Sequence, residues 1–390
     1  MRTAPAAALR IALLPGTTLL AWRNLVHDRA RFAVTLIGIV FAVVLMGAQL
    51  GLLVGFAKTA SNLVDHADAN LWVSAIGVSN VDISGRIPER RRFEALSVPG
   101  VAAVADYIVR FAYWRKPGGG TESVIMVGFD QASGRGGPWS LSPGSTLTSL
   151  RIPDGVLIDR LYMHKLGVTH IGQVIEINNQ RARVVGLTDG IRTFTQSPYV
   201  FTTYARAQRF ALLRPGDASY LLVKLKPGAD PDRVRRALNA RLPFVDVMTA
   251  DQFARRTAAY WLITTGAGSA LVLAAVLGLV VGIVIVGQTL YASTVDHLPE
   301  YATLRAMGAT NRYLYRIIGK QAMISAMLGF GIGIGTTIAM VMFSRRGNVA
   351  MALPVWLILS LAVLTFAMCM LSAVISIRRI MTIDPTQVFQ

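Results

Sequence analysis

Few residues of this 390-residue sequence stand at spacings that do chemistry. A P-loop needs G-x-x-x-x-G-K-[ST], so that backbone N–H groups cradle phosphate and a hydroxyl meets the metal ion. Gly319-Lys320 is followed by Gln321 and preceded by no glycine at that distance. The histidines His27, His66, His164, His170 and His297 form no H-x-x-x-H or H-E-x-x-H pair, so helical metal-ligand spacing is missing. His164 and His170 lie six apart near Asp159 and read as solvated surface. No G-x-S-x-G elbow exposes a nucleophilic serine. Cys369 is the one cysteine and sits in an apolar run. That excludes an intrachain disulfide, a thiolate zinc site and a C-x-x-C pair, and leaves a small buried hydrophobe. The chain is expected to be no enzyme by itself and to hold no cofactor or metal.

The sharpest pattern is Tyr291–Thr310, which lies between two apolar runs. Pro299 near a first turn, Glu300 beside it and Gly308 at the end predict a short helix. Tyr301, Leu304 and Gly308 share one face of it, and Arg305 falls elsewhere. Such a short helix is marginal alone in water. It must dock on its own span ends or on a partner protein.

The elements that position this segment follow from composition. Hydrophobic residues make up 53% of the chain and charged ones 15%, against the roughly 25% charged of a soluble domain. Phe32–Phe56, Trp261–Leu290, Gln321–Phe343 and Pro354–Ile377 carry no charge and exceed the about 20 residues that cross a bilayer. They predict four transmembrane helices, with spans at 32–56, 259–290, 320–343 and 354–377. Ile11–Trp22 is interrupted by Pro15 and Gly16 without a cleavage site after it, and is expected to be an interfacial helix within a 1–31 N-terminal segment rather than a signal peptide.

Thirty-nine basic against 21 acidic residues give net +18, a balance that in a soluble protein points to nucleic acid. Half of the excess lies between Ala57 and Tyr260, with 26 basic against 17 acidic residues. Its clusters Arg90-Arg91-Arg92 and Arg233, Arg235, Arg236 have no interleaved aromatics, so base stacking is not expected and no nucleic-acid partner is assigned. They read as solvated faces, or as contacts to lipid headgroups or an acidic surface. The other half flanks the spans. Arg23, Arg29 and Arg31, then Arg305, Arg312, Arg316 and Lys320, then Arg378 and Arg379 mark three cytoplasmic flanks; Arg345 and Arg346 alone disagree. Both termini, the 291–319 segment and the 378–390 tail are therefore expected in the cytoplasm, and the 57–258 domain and the 344–353 loop outside.

That outer domain reads as mixed α/β in two lobes. Leu71–Ala75, Ala103–Tyr113, Ser123–Phe129, Val156–Ile158, Tyr220–Leu225 and Val245–Met248 are expected strands, and Val174–Ile177 with Arg183–Val185 a hairpin about Asn178–Asn179. Pro88–Leu96 and Asp232–Leu242 are expected helices. The early and late pieces should pair, with the middle β piece inserted. In the spans, Gly47, Gly51 and Gly55 recur every four residues, and Gly331 and Gly335 repeat that spacing. Small-xxx-small stripes let helix backbones approach closely, within one chain or at a dimer face.

At Asp296-His-Leu-Pro-Glu-Tyr-Ala-Thr-Leu-Arg-Ala-Met-Gly308 the sequence resembles the coupling segment of the FtsX/MacB-like ABC transporter permeases, in a wording nearest the DevC-type exporters. Ala21-Trp-Arg-Asn-Leu25, Thr35–Met46 and Arg378–Pro385 agree, as does the order of one span, a large outer domain and three spans. The resemblance implies a MacB-like periplasmic domain, a bacterial inner-membrane location, a homodimer, a separate ATPase that binds ATP and Mg, a periplasmic adaptor and an outer-membrane channel. It also implies export of a lipid-like or amphipathic substrate by transmitted motion; an FtsX-like scaffold activating a cell-wall hydrolase and a lipoprotein-releasing permease share the architecture. Docking to the ATPase falls to Glu300, Tyr301, Leu304, Arg305, Met307 and Gly308, with Arg305 suited to an acidic surface and Leu304 and Met307 to an apolar groove. Many relatives carry Glu where this chain has Gln321.

Overall fold

The computed structural model describes residues 17–297, 299–300, 303, 307, 310–344 and 350–381. Its contacts divide the chain into two units, one built from the long apolar helices and one from Val54–Ser269 with Ser344–Met351.

Helix α1 (Thr17–His27) precedes α2 (Arg29–Ala60), and Asp28 breaks the helix between them. α1 buries Ala21, Asn24 and Leu25 and leaves Leu19 and Trp22 exposed; Ile11–Gly16 of the expected interfacial helix lie outside the described residues. α2, α9 (Ala267–Asp296), α10 (Asn311–Ser344) and α11 (Val355–Met381) are all long and apolar enough to cross a membrane. They pack through glycine. A Cβ on Gly333 would stand 2.7 Å from Val43 Cβ, and one on Gly47 2.8 Å from a methyl of Thr337, so α2 and α10 meet backbone to side chain. Ser372 and Ser376 of α11 donate to the Ile283 and Gly287 carbonyls of α9, each at 2.9 Å. Such cross-helix bonds hold spans where no hydrophobic effect separates helix from lipid.

The outer unit begins with the short helix α3 (Asn62–Asp65) and β1 (Leu71–Ala75). Then come β2 (Ile87–Pro88), α4 (Arg90–Leu96), β3 (Val101–Arg115), β4 (Thr121–Phe129), β5 (Gly155–Asp159), α5 (Met163–Leu166), β6 (Val174–Ile177) and β7 (Gln180–Thr188). β8 (Tyr199–Thr203), α6 (Tyr204–Phe210), β9 (Asp217–Ala218), β10 (Tyr220–Leu225), α7 (Pro231–Arg241), β11 (Val245–Thr249) and α8 (Ala250–Ala259) complete it. One sheet runs in the order β11-β1-β10-β3-β4-β8-β5-β7-β6.

Two lobes share the long strand β3. Its first half pairs with β10 and its second half with β4. The lobe of β11, β1 and β10 packs Val73, Leu221, Val223 and Val247 against Ala95 of α4 and Leu238 of α7. In the other lobe β6 returns to pair with Trp114 and Arg115 at the end of β3, closing six strands into a ring around Trp114, Met126, Ile158, Ile177, Val184 and Val200. The early and late strands do pair, as expected. At the β6–β7 turn Asn178 and Asn179 both have positive φ, 48° and 61°, which is the hairpin turn that asparagine tolerates.

Three expectations are corrected. Pro88 does not open a helix: with Ile87 it pairs with β9, where a residue lacking an N–H fits a two-residue edge, and α4 starts at Arg90. Asp159 is not on a solvated surface; it is buried, accepting from the Leu161 and Ile191 amides at 3.0 and 2.7 Å and from the Thr188 hydroxyl at 2.8 Å. The helix of the second span starts at Ala267, not Trp261. Tyr260–Thr264 is a π-helical turn, and Gly266 at φ 77° separates it from α9.

Candidate functional site

Residues at the connection between α9 and α10 are positioned by ion pairs. Asp28 accepts from the Arg31 amide at 3.2 Å, capping α2, and its carboxylate lies 3.4 Å from the Arg31 guanidinium. The same guanidinium pairs with Asp296, the last residue of α9. His297 Nδ1 stands 3.2 Å from Glu300, and its ring centroid is 6.3 Å from that of His27. The two Arg31 pairs are partly exposed, and surface pairs contribute about 0–1 kcal/mol each, so they set geometry more than stability. Beyond them Pro299, Glu300 and Thr303 are helical. The Thr303 hydroxyl donates to the Pro299 carbonyl at 2.9 Å and the Met307 amide to the Thr303 carbonyl at 3.0 Å. Glu300 and Met307 are exposed. Tyr301, Leu304, Arg305 and Gly308 lie outside the described residues. More than two turns into α10, Lys320 donates to the hydroxyls of Thr17 and Thr18 on α1, at 2.8 and 2.5 Å.

A second joint, in the outer unit, has no counterpart in the sequence reading. Asp82 is 4% exposed and accepts from the indole of Trp261 at 3.0 Å. Burial pushes its carboxyl up to about 6, against the hydrogen bonds from Trp261 and Tyr199. Its loop is held fast: the Asn80 side chain accepts from the Asp82 and Ile83 amides at 3.0 and 2.9 Å, and Tyr220 donates to the Val81 carbonyl at 3.0 Å. The Trp261 ring in turn lies 5.1 Å from Phe194, and Phe194 meets Phe56 of α2 edge-on at 5.0 Å. These contacts fasten the loops at 80–83 and 194 to both chain ends that leave the outer domain. The sequence signal was confined to the Asn80–Asp82 turn pattern.

A cleft of about 660 Å³ opens beside β3, β4 and α6, lined by Arg92, Asp106, Asp130, Gln131, Arg151 and Tyr204 among others. Arg92 pairs with Asp106 at 2.9 Å, and burial lifts the Asp106 carboxyl above the usual range in spite of that pair. Asp106 and Asp130 line it together with Arg92 and Arg151, and the Tyr204 hydroxyl donates to the Glu89 carboxylate at 2.7 Å. Some of the basic residues read as solvated faces are thus paired, Arg91 with Glu94, Arg92 with Asp106 and Arg235 with Asp232, and Arg256 pairs with Asp246. Among the described residues no three His, Cys, Asp or Glu are grouped to hold a metal.

The glycine stripes separate by function. Gly47 faces Thr337, the Gly51 carbonyl accepts from the Ala352 amide at 3.0 Å, and Gly55 backs onto Ala350. In α10, Gly329 and Gly333 meet Ile39 and Val43, whereas a Cβ on Gly331 or Gly335 would meet nothing within 4 Å. Gln321 is buried at 1% exposure with its amide nitrogen unpartnered.

Comparison with known proteins agrees with this arrangement. The MacB-like periplasmic core domain family matches residues 32–241 and the FtsX-like permease C-terminal family residues 272–385. An uncharacterized ABC transporter permease of Mycobacterium tuberculosis is 24% identical over 372 residues, covering 95% of this chain and 98% of that one. One from Mycobacterium bovis is 23% identical over 374 residues, covering 94% and 96%. Among solved structures, the periplasmic region of MacB from Actinobacillus actinomycetemcomitans aligns with 50% of this chain and 94% of that one at 10% identity and TM-score 0.39. The extracellular domain of the transporter YknZ from Gram-positive bacteria aligns with 46% and 98% at 15% identity and TM-score 0.35. The chain belongs to the ABC transporter permeases of the MacB/FtsX type, with a MacB-like periplasmic core domain between its first membrane helix and an FtsX-like C-terminal region.

Proposed function

We propose that the chain is the transmembrane subunit of a tripartite exporter, working as a homodimer with a separate ATPase, a periplasmic adaptor and an outer-membrane channel. Nucleotide and Mg belong to the ATPase, and the substrate is lipid-like or amphipathic. The observation that carries this reading is the α9–α10 connection. It presents Glu300 and Met307 to solvent just beyond Asp296, the last residue of α9, which is tied to the start of α2 through Arg31. A push on that segment would bear on two spans at once. Motion follows only if the ATPase contacts one arrangement of the spans better than the other, so docking contacts are where the free energy enters. Co-expression should co-purify an ATPase with this chain. Leu304→Asp should abolish ATP-dependent export while the protein still inserts and melts normally; export at the normal rate would overturn the docking assignment.

A further inference from the structure

We propose that the 76–86 loop of the outer domain is a membrane-contact surface that seats this domain on the lipid headgroup and acyl boundary through Ile76 and Ile83. The loop is tied down over residues 80–84. Asn80, Val81 and Asp82 are buried, their backbone and side chains fixed by Tyr220, the Asn80 turn and Trp261. Ser84 donates to the Val109 carbonyl at 2.7 Å. On this rigid frame Ile83 is 51% exposed and Ile76 is 66% exposed. A fixed loop that keeps two isoleucines in water forfeits their burial energy, unless something apolar covers them.

What covers them follows from the hydrogen bond of Asp82. Its donor, Trp261, lies six residues before Ala267, the first residue of a membrane helix. Through Phe194 the same ring reaches Phe56, near the end of the first membrane helix. Ile83 is thus held beside two chain segments that are entering or leaving a bilayer. Tryptophan is enriched at that depth, and isoleucine with flanking cations is the composition of a surface buried shallowly in lipid. Ile263, in the π-helical turn, is 75% exposed, and Lys58 and Arg86 are exposed and cationic. The surface therefore suits lipid, and the basic side chains suit anionic headgroups.

The test uses the full chain in nanodiscs of phosphatidylethanolamine and phosphatidylglycerol. A nitroxide is attached at Ile83→Cys, with unlabelled-site controls for the buried Cys369. A second label at Thr121→Cys, exposed at the start of β4, reports on water. Power saturation with oxygen and a water-soluble nickel chelate should give an oxygen-to-nickel accessibility ratio severalfold higher at residue 83 than at residue 121. Equal ratios would place the loop in water and overturn the proposal. Low access to both reagents at residue 83 would show protein covering it and overturn the proposal equally.

Discussion

Asp82 shows how a single residue can carry a condition-dependent load. Its carboxyl is raised by burial to about 6, against the usual ~3.9 of an unfolded chain. Between those values the folded protein keeps a proton that the unfolded chain has released, so stability falls as pH rises through the window. Two units correspond to about 3 kcal/mol, fully lost above pH ~6. The purified chain should therefore melt at a higher temperature at pH 5 than at pH 7.5 on this account, and Asp82→Asn should remove most of that difference. The asparagine amide introduces a donor with no partner of its own, so the pH response and not the absolute melting temperature is the quantity to compare; a variant with the wild-type response would exclude Asp82 as its source. None of this was legible beforehand. Asp82 meets its partner across 179 residues of sequence, and no local spacing announces a contact of that range.

Elements were legible where their period or punctuation is local. Four uncharged runs became four long helices, and Asn178-Asn179 became the turn of a hairpin, because each signal sits within the element it specifies. Tyr199–Phe210 went unread because strand β8 ends at Thr203 and α6 starts at the next residue, and no glycine or proline marks the change. Helix α8 was missed although Thr249 and Gln252 form a reciprocal capping box at its start. The glycine pattern was legible as a packing device but not as to which face is used. That distinction is testable. Gly333→Val puts a side chain where Val43 already stands, and overpacking of this kind costs about 1–3 kcal/mol. Gly331→Val meets open space. Detergent-solubilised chain should thus melt earlier with the first substitution and at an unchanged temperature with the second in a monomeric preparation. If Gly331→Val lowers the melting temperature only of dimers, its face contacts the second copy; equal losses for both variants in monomers would contradict the packing described for α2 and α10.

For the whole molecule, the two joints are linked by one covalent element. Helix α2 begins two residues before Arg31, whose guanidinium pairs with Asp296 at the α9–α10 connection, and carries Phe56 near its other end. It contains no proline and no break, so transmitted motion, if the chain works that way, would need no relay of side chains along α2. Contiguity alone is not coupling, which requires that both ends bias the same two-state equilibrium. Two substitutions separate the cases. Arg31→Ala releases the coupling segment and should lower the ATPase stimulation that accompanies export. Phe194→Ala removes the ring between Phe56 and Trp261 and should leave ATPase binding intact while lowering export. If both act on one transmitted motion, export by the double variant should be no lower than that of the more severe single variant, the non-additivity of residues acting as a unit. If the two joints work independently, the losses multiply. Measuring export in the four proteins of this cycle decides between a chain that moves its outer domain through α2 and one whose two halves respond separately.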